Sequence, residues 1–123
     1  MEYVATDKAP AAIGPYSQAI EHNGLVYVSG QLGMRPADGE MVDGFEAQTR
    51  QALENMKAIL EESGSSLEQV ISVDVFMTDL GNFLDFNAIY AEYFSTHKPA
   101  RAAIEVCALP KGGVVEMKCI AAK

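Results

Sequence analysis

The sequence predicts an α+β fold, a mixed six-stranded sheet with two helices packed on one face, in the order β-β-β-α-β-α-β-β. Three observations lead there. Asn23-Gly24 stands between the apolar runs Gln18–Glu21 and Leu25–Gln31, a hairpin signature because both turn positions tolerate positive φ. From Phe45 to Leu60 apolar or small residues recur with the period of a helix. From Val70 to Thr78 they alternate, the period of a strand.

Taken in chain order, Tyr3–Thr6 reads as a short first strand, separated from the hairpin by a loop whose Pro10 and Pro15 withhold backbone donors. After the turn-forming Arg35-Pro36-Ala37-Asp38-Gly39, the residues Phe45, Thr49, Ala52, Leu53, Met56, Ile59 and Leu60 share one face of the first helix, which Gly64 ends as a C′ residue. In Val70–Thr78, Ile71, Val73, Val75 and Met77 are expected on one face; Ser72, Asp74 and Thr78 take the other, with Val70 and Phe76. Asp79 is placed to cap a second helix carrying Leu80, Phe83, Phe86, Tyr90, Tyr93 and Phe94 on its apolar side, and Pro99 marks its limit. Ala102–Leu109 and Val114–Ala121 complete the sheet around the turn Pro110-Lys111-Gly112-Gly113. This layout points Tyr27, Phe76 and either Val115/Met117 or Val114/Ile120 away from the helices. Self-association is the economical way to cover such a face.

A chain of 123 residues suits one domain, residues 1–123. Seventeen acidic against nine basic residues give a net charge of −8 and a pI near 4.6, which disfavours generic binding to nucleic acid or anionic membranes. Met1–Asp7 has neither the basic nor the apolar segment of a secretory leader, and no apolar run is long enough to span a bilayer, so a cytoplasmic protein is expected. Cys107 and Cys119 are too few for a disulfide framework and are expected to be buried thiols. His22 and His97 fit no metal-ligand spacing and no nucleophilic triad, and no glycine-rich phosphate loop is present. Neither metal nor cofactor is expected.

Several polar residues stand out against this background. Arg101 follows the helix-ending Pro99 at the start of a small, apolar strand; its planar fork of donors suits a ligand carboxylate, or an ion pair with Glu105 or Glu116. Asn87, four residues after Phe83 and three before Tyr90, sets an amide on the apolar side of the second helix. There it either bridges helix to loop or serves a site, since a buried amide must be satisfied. Tyr16 anchors a Gly-Pro turn, and Ser29 places a hydroxyl on a strand. Glu116 faces as Val114 and Lys118 do: a solvated pair with Lys118, or a general base beside a desolvated pocket.

Gly14-Pro15-Tyr16-Ser17-Gln18, Ser29-Gly30-Gln31 and Pro99-Ala100-Arg101 leading to Glu105-Val106, with Phe83, Asn87 and Tyr90, and Leu109-Pro110-Lys111 before Val115-Glu116, closely resemble the RidA/YjgF family of enamine/imine deaminases. The resemblance runs from about Thr6 to the C-terminus. It implies a chorismate-mutase-like fold, a homotrimer with clefts between protomers, and cofactor-free hydrolysis of 2-aminoacrylate-type enamines and 2-imino acids to 2-keto acids and ammonia. By the same resemblance Arg101 holds the substrate carboxylate, aided by main-chain groups at Gly30 and Ala103. Tyr16 and Ser29 line the pocket, Asn87 lies close by, and Glu116 positions the attacking water. There are two departures: Ala103 stands where many relatives carry cysteine, and Lys118 where many carry an acid. Alanine keeps the main-chain groups but excludes thiol chemistry there, and Cys107 does not inherit that role. Two other functions stay open at this point. One is a non-catalytic 2-keto-acid or metabolite-binding regulator. The other is an endoribonuclease or translation inhibitor, which would want a histidine pair and a basic groove.

Overall fold

The computed structural model describes residues Met1–Lys123. Asn23 and Gly24 take φ of 52° and 77° and fold β2 (Ala19–His22) onto β3 (Leu25–Leu32), as their residue types demand. The first strand, β1 (Glu2–Val4), lies slightly earlier than the sequence suggests, because its register on β2 sets Glu2 against Glu21 and Val4 against Ala19. Next comes α1 (Phe45–Glu62), closed by Gly64 at φ 87°, then β4 (Val70–Met77). Asp79 does cap, but it caps a single 3-10 turn, Leu80–Asn82, by accepting from the Gly81 N–H; α2 (Phe83–Tyr93) follows. The last strands are β5 (Ala100–Glu105) and β6 (Val115–Ala122).

The six strands form one sheet in the order β1-β2-β3-β6-β4-β5. Every neighbouring pair is antiparallel except β4 and β5, whose parallel pairing uses α2 as its crossover. Both helices cover the same face. Val26, Val28, Val73, Val75, Val115, Met117 and Ala121 of the sheet pack there against Leu53, Met56, Ile59, Leu60 and Phe86 in a core of 22 buried residues. Each such large side chain contributes about 1.5–3 kcal/mol of transfer free energy. No helix is long and apolar enough to cross a membrane.

Four expectations need correction. Val70, not Ile71, enters the core: β4 gains one residue relative to β6 between Val70 and Ser72, and this bulge extrudes Ile71, 47% exposed. The fifth strand occupies Ala100–Glu105 instead of Ala102–Leu109, because pairing with Ser72–Met77 of β4 fixes its limits. Beyond it the Val106 N–H donates to the Met77 carbonyl and the chain leaves the sheet, so Cys107 is exposed; only Cys119 is buried, and burial pushes its thiol up to about 12. Leu80, in the 3-10 turn before α2, is exposed as well.

Of the two alternatives for β6, Val115 and Met117 face the helices and Ile120 faces away. Cross-strand neighbours share a face, so Tyr27, Ile120 and, two rows on, Phe76 and Ile104 line the side without helices. Tyr27 is 44% and Ile104 50% exposed in the single chain.

Candidate active site

One group of candidate residues gathers on the helix-free face, where β3 meets β6. Between Val28 and Gln31 the β3–β6 ladder slips by one residue, so Ser29 and Gly30 form a bulge at the point where a glutamate approaches. The Ser29 N–H donates to the Gln18 carbonyl, and the Ser29 hydroxyl donates to the Ser17 carbonyl at 2.5 Å. The proton of this hydroxyl is therefore committed, and its oxygen is left as an acceptor. Buried Gln18 ties the preceding loop through Thr6, Ala9 and Pro10, which holds Tyr16 at the rim.

Glu116 lies opposite Leu32 on β3 and Phe76 on β4. A Cβ at Gly30 would come within 3.0 Å of the Glu116 carboxyl carbon, so glycine makes room for this side chain. The carboxylate is half-buried and receives no hydrogen bond, and desolvation raises its pKa above the ordinary 4.5. Tyr16, Ser29, Gly30 and Glu116 line a pocket of about 410 Å³, with Ile13, Leu32, Met34, Pro110 and Lys111. A hollow of about 500 Å³ on the far side of Tyr16 is larger, but its only ionisable carboxylates are Asp7 and Glu62. The smaller pocket carries the better chemistry.

A second group sits at the β5 edge of the sheet. Arg101 on β5 donates from Nη1 to Asn87 Oδ1 at 2.9 Å. Its guanidinium carbon lies 4.9 Å from the Tyr90 ring centre, 5.6 Å from Phe83 and 5.8 Å from Phe86. Asn87 thus bridges α2 to a strand. The alternative ion pair with Glu105 or Glu116 is absent, since the Glu105 carboxylate accepts the Leu80 N–H and Glu116 is on the other face. Nor does Lys118 pair with Glu116; it stands opposite Asp74 in the ladder. Ala103, two residues beyond Arg101, shares its face and packs against the core. Burial pushes the Tyr90 phenol up to about 12, opposed by the neighbouring Arg101 charge, and its hydroxyl has no partner.

The two groups do not meet within one chain. Arg101 is in register with Val73 and Cys119, both buried beneath the helices, whereas Glu116 is in register with Phe76 and Ile104 on the opposite side. The structure therefore brings together Tyr16, Ser29, Gly30 and Glu116, and separately Arg101, Asn87 and Ala103.

Two residues that build the pocket escaped the sequence reading. Gln48 Oε1 accepts the Val114 N–H at 2.9 Å, just before β6, and buried Asn55 donates to the Leu32 and Met34 carbonyls. Gly33 lets α1 approach, since a Cβ there would lie 2.5 Å from Gln48 Cα. The available signal was two amides spaced seven apart on the apolar face of the first helix. No three His, Cys, Asp or Glu side chains come together as a metal-binding group.

Residues 6–123 match the family model described as Endoribonuclease L-PSP. A RutC family protein of Pyrococcus abyssi is 49% identical over 123 residues, spanning 99% of this chain and 97% of its own. A 2-iminobutanoate/2-iminopropanoate deaminase of Bos taurus is 48% identical over 119 residues, 96% of this chain and 87% of that protein. The crystal structure of RidA from an Antarctic Psychrobacter superposes with a TM-score of 0.98 at 48% identity, covering 100% of both chains. The hairpin, the bulge beside Glu116 and the β4-α2-β5 unit that carries Arg101 are thus the local geometry of a known fold, and the chain belongs to the L-PSP family of RidA and YjgF.

Proposed function

We propose that the protein hydrolyses 2-aminoacrylate-type enamines, through their 2-imino acid tautomers, to 2-keto acids and ammonia, without a cofactor. The observation that carries this reading is a pair of charges free of ionic partners: a guanidinium held only by neutral groups, and a desolvated carboxylate that accepts no hydrogen bond. The Bos taurus relative, named for this reaction, agrees with it. An imine carbon is already electrophilic, so the site has only to orient the substrate and deliver water.

Arg101 holds the substrate carboxylate with its remaining donors, helped by main-chain groups at Gly30 and Ala103, while Tyr16 and Ser29 orient the reacting end. Because the Ser29 proton is engaged by Ser17, its oxygen accepts from the imine N–H. On the protonated imine, Glu116 takes a proton from the attacking water as the C–O bond forms and passes it to the nitrogen; as the C–N bond of the tetrahedral adduct breaks it takes the hydroxyl proton, so the keto group forms and ammonia leaves. A carboxylate whose pKa lies above the usual range suits both steps and contributes roughly 10²- to 10⁴-fold.

Arg101 and Glu116 lie on opposite faces, so a working site pairs the arginine of one chain with the glutamate pocket of the next. A homotrimer with inter-subunit sites meets this need. It also covers Tyr27, Phe76, Ile104 and Ile120. The substrate is a small carboxylate, not nucleic acid or membrane lipid, drawn to a local cation on a chain of net charge −8. An exposed free thiol at Cys107 fits a reducing, cytoplasmic setting.

The test generates 2-aminoacrylate in situ and follows keto-acid release. The protein accelerates it, and Arg101→Lys loses about 100-fold in kcat/KM, because lysine keeps the charge but not the bidentate fork. Near-wild-type turnover by Arg101→Lys overturns the clamp. Carboxylate binding without turnover by the wild type selects the regulatory reading. RNA cleavage that survives Arg101→Ala and repurification selects the ribonuclease named in the family description.

A further inference from the structure

Arg101 differs from the chain's other two arginines in what holds it. Arg35 is paired with Asp38, and Arg50 with Glu46 and Glu92, so each of those charges is largely neutralised where it stands. Arg101 has no carboxylate within ion-pair distance. Its neighbours are one amide oxygen and three aromatic rings. Those four groups come from one stripe of α2, at positions 83, 86, 87 and 90, the spacing that aligns side chains on a single helical face. The Asn87 oxygen pins Nη1, leaving Nε and Nη2 without a protein partner. The cation lies over the rings, whose negative faces attract it; this orients the guanidinium and leaves its charge intact. A carboxylate in the same place would hold it as firmly but would compete with an incoming anion.

We infer that Phe83 is a positioning residue: with Phe86 and Tyr90 it forms an aromatic tray that holds the Arg101 guanidinium, so that the fork meets a substrate carboxylate already oriented. This rests on the reading of Arg101 as the carboxylate clamp. Phe86 is fully buried and Tyr90 nearly so, and both also serve the core. Phe83, at the first turn of α2, is only partly buried, and its ring is the one that can be exchanged with least effect on the fold.

The experiment compares wild type, Phe83→Leu, Phe83→Tyr and Arg101→Lys in the imine hydrolysis assay, with thermal unfolding of each and calorimetric titration of 2-oxobutanoate as a binding probe. A cation–π contact of about 1 kcal/mol corresponds to roughly fivefold in affinity. Phe83→Leu is expected to raise KM and the 2-oxobutanoate Kd by about that factor, with kcat within twofold, and Phe83→Tyr to restore both. A lowered Tm in Phe83→Leu with unchanged KM and Kd, while Arg101→Lys loses activity, overturns the tray and leaves the clamp standing. Arg101→Lys retaining activity and 2-oxobutanoate affinity overturns the clamp, and the tray with it. A loss in Phe83→Leu that Phe83→Tyr does not restore also overturns the tray, since the aromatic face would not be what matters.

Discussion

The β5 corner and the β3–β6 pocket present opposite solutions to keeping a charge in a protein. At the corner, Arg101 is exposed and held by one amide oxygen and three aromatic rings, with Nε and Nη2 unpartnered. In the pocket, Glu116 is half-buried, accepts no hydrogen bond and lies against the bare backbone of Gly30. The first arrangement costs little and keeps the cation in one pose. The second costs desolvation and leaves lone pairs ready for water. A clamp needs the former and a base the latter. On the proposed reading, their placement on opposite faces gives one chain half of each of two sites.

The largest expected effect follows from that division. Arg101→Ala and Glu116→Gln each lose at least about 100-fold in turnover. When the two variants are unfolded together and reassembled, activity returns to about one quarter of wild type, the chance that an intact arginine meets an intact glutamate in a head-to-tail ring. No recovery would mean that the two residues act within one chain. Next in size, Gly30→Ala inserts a methyl 3.0 Å from the Glu116 carboxyl carbon. It is expected to lower kcat about tenfold through displacement of the base, read by steady-state kinetics beside an unchanged far-ultraviolet spectrum.

The pH dependence separates the corner from the pocket. The folded pKa of Glu116 is raised by burial above 4.5, so the acid limb of kcat/KM appears above that value. For stability the sign is the reverse of a salt-bridged carboxylate. Ionising Glu116 is harder in the folded chain, so its contribution is fully present below the unfolded pKa and is lost as pH rises through the folded one. Glu116→Gln is therefore expected to melt above wild type at pH 7–8, with the gap closing below about pH 4.5. The smallest effect concerns Tyr90, whose buried hydroxyl has no partner. Tyr90→Phe keeps the ring, removes an unmet polar atom, and should raise stability by up to about 1 kcal/mol in denaturant unfolding.

Much of this arrangement was legible in the sequence. The Asn23-Gly24 turn, the α1 stripe ending at Gly64 and the element order follow from local chemistry. Arg101, Asn87 and Glu116 stand out by their own chemistry, whereas a binding role for Tyr16, Ser29 and Gly30 is what the family resemblance implies. The faces were not legible, because they depend on register between strands distant in sequence. One extra residue in β4 exchanged Ile71 for Val70, and alternation within β6 does not say which of its faces the helices cover. The limits of β5 differ from the expectation for the same reason: Val106 and Cys107 continue an apolar pattern, but β4 ends at Met77, which pairs with Glu105. Helical periodicity alone does not reveal the roles of Gln48 and Asn55, because the carbonyls and N–H they serve belong to other segments.

The spacing along the chain also sets an order of assembly. Asn87 and Arg101 are 14 residues apart, inside the contiguous β4-α2-β5 segment, whereas the contact from Gln48 to Val114 spans 66. Closing the longer loop costs more entropy and waits on long-range pairing of β3 with β6. A nascent or partly unfolded chain is thus expected to display a finished arginine cradle before it has a place for water. Native-state hydrogen exchange should accordingly find the amides around residues 83–105 and those flanking the Ser29-Gly30 bulge opening as different units.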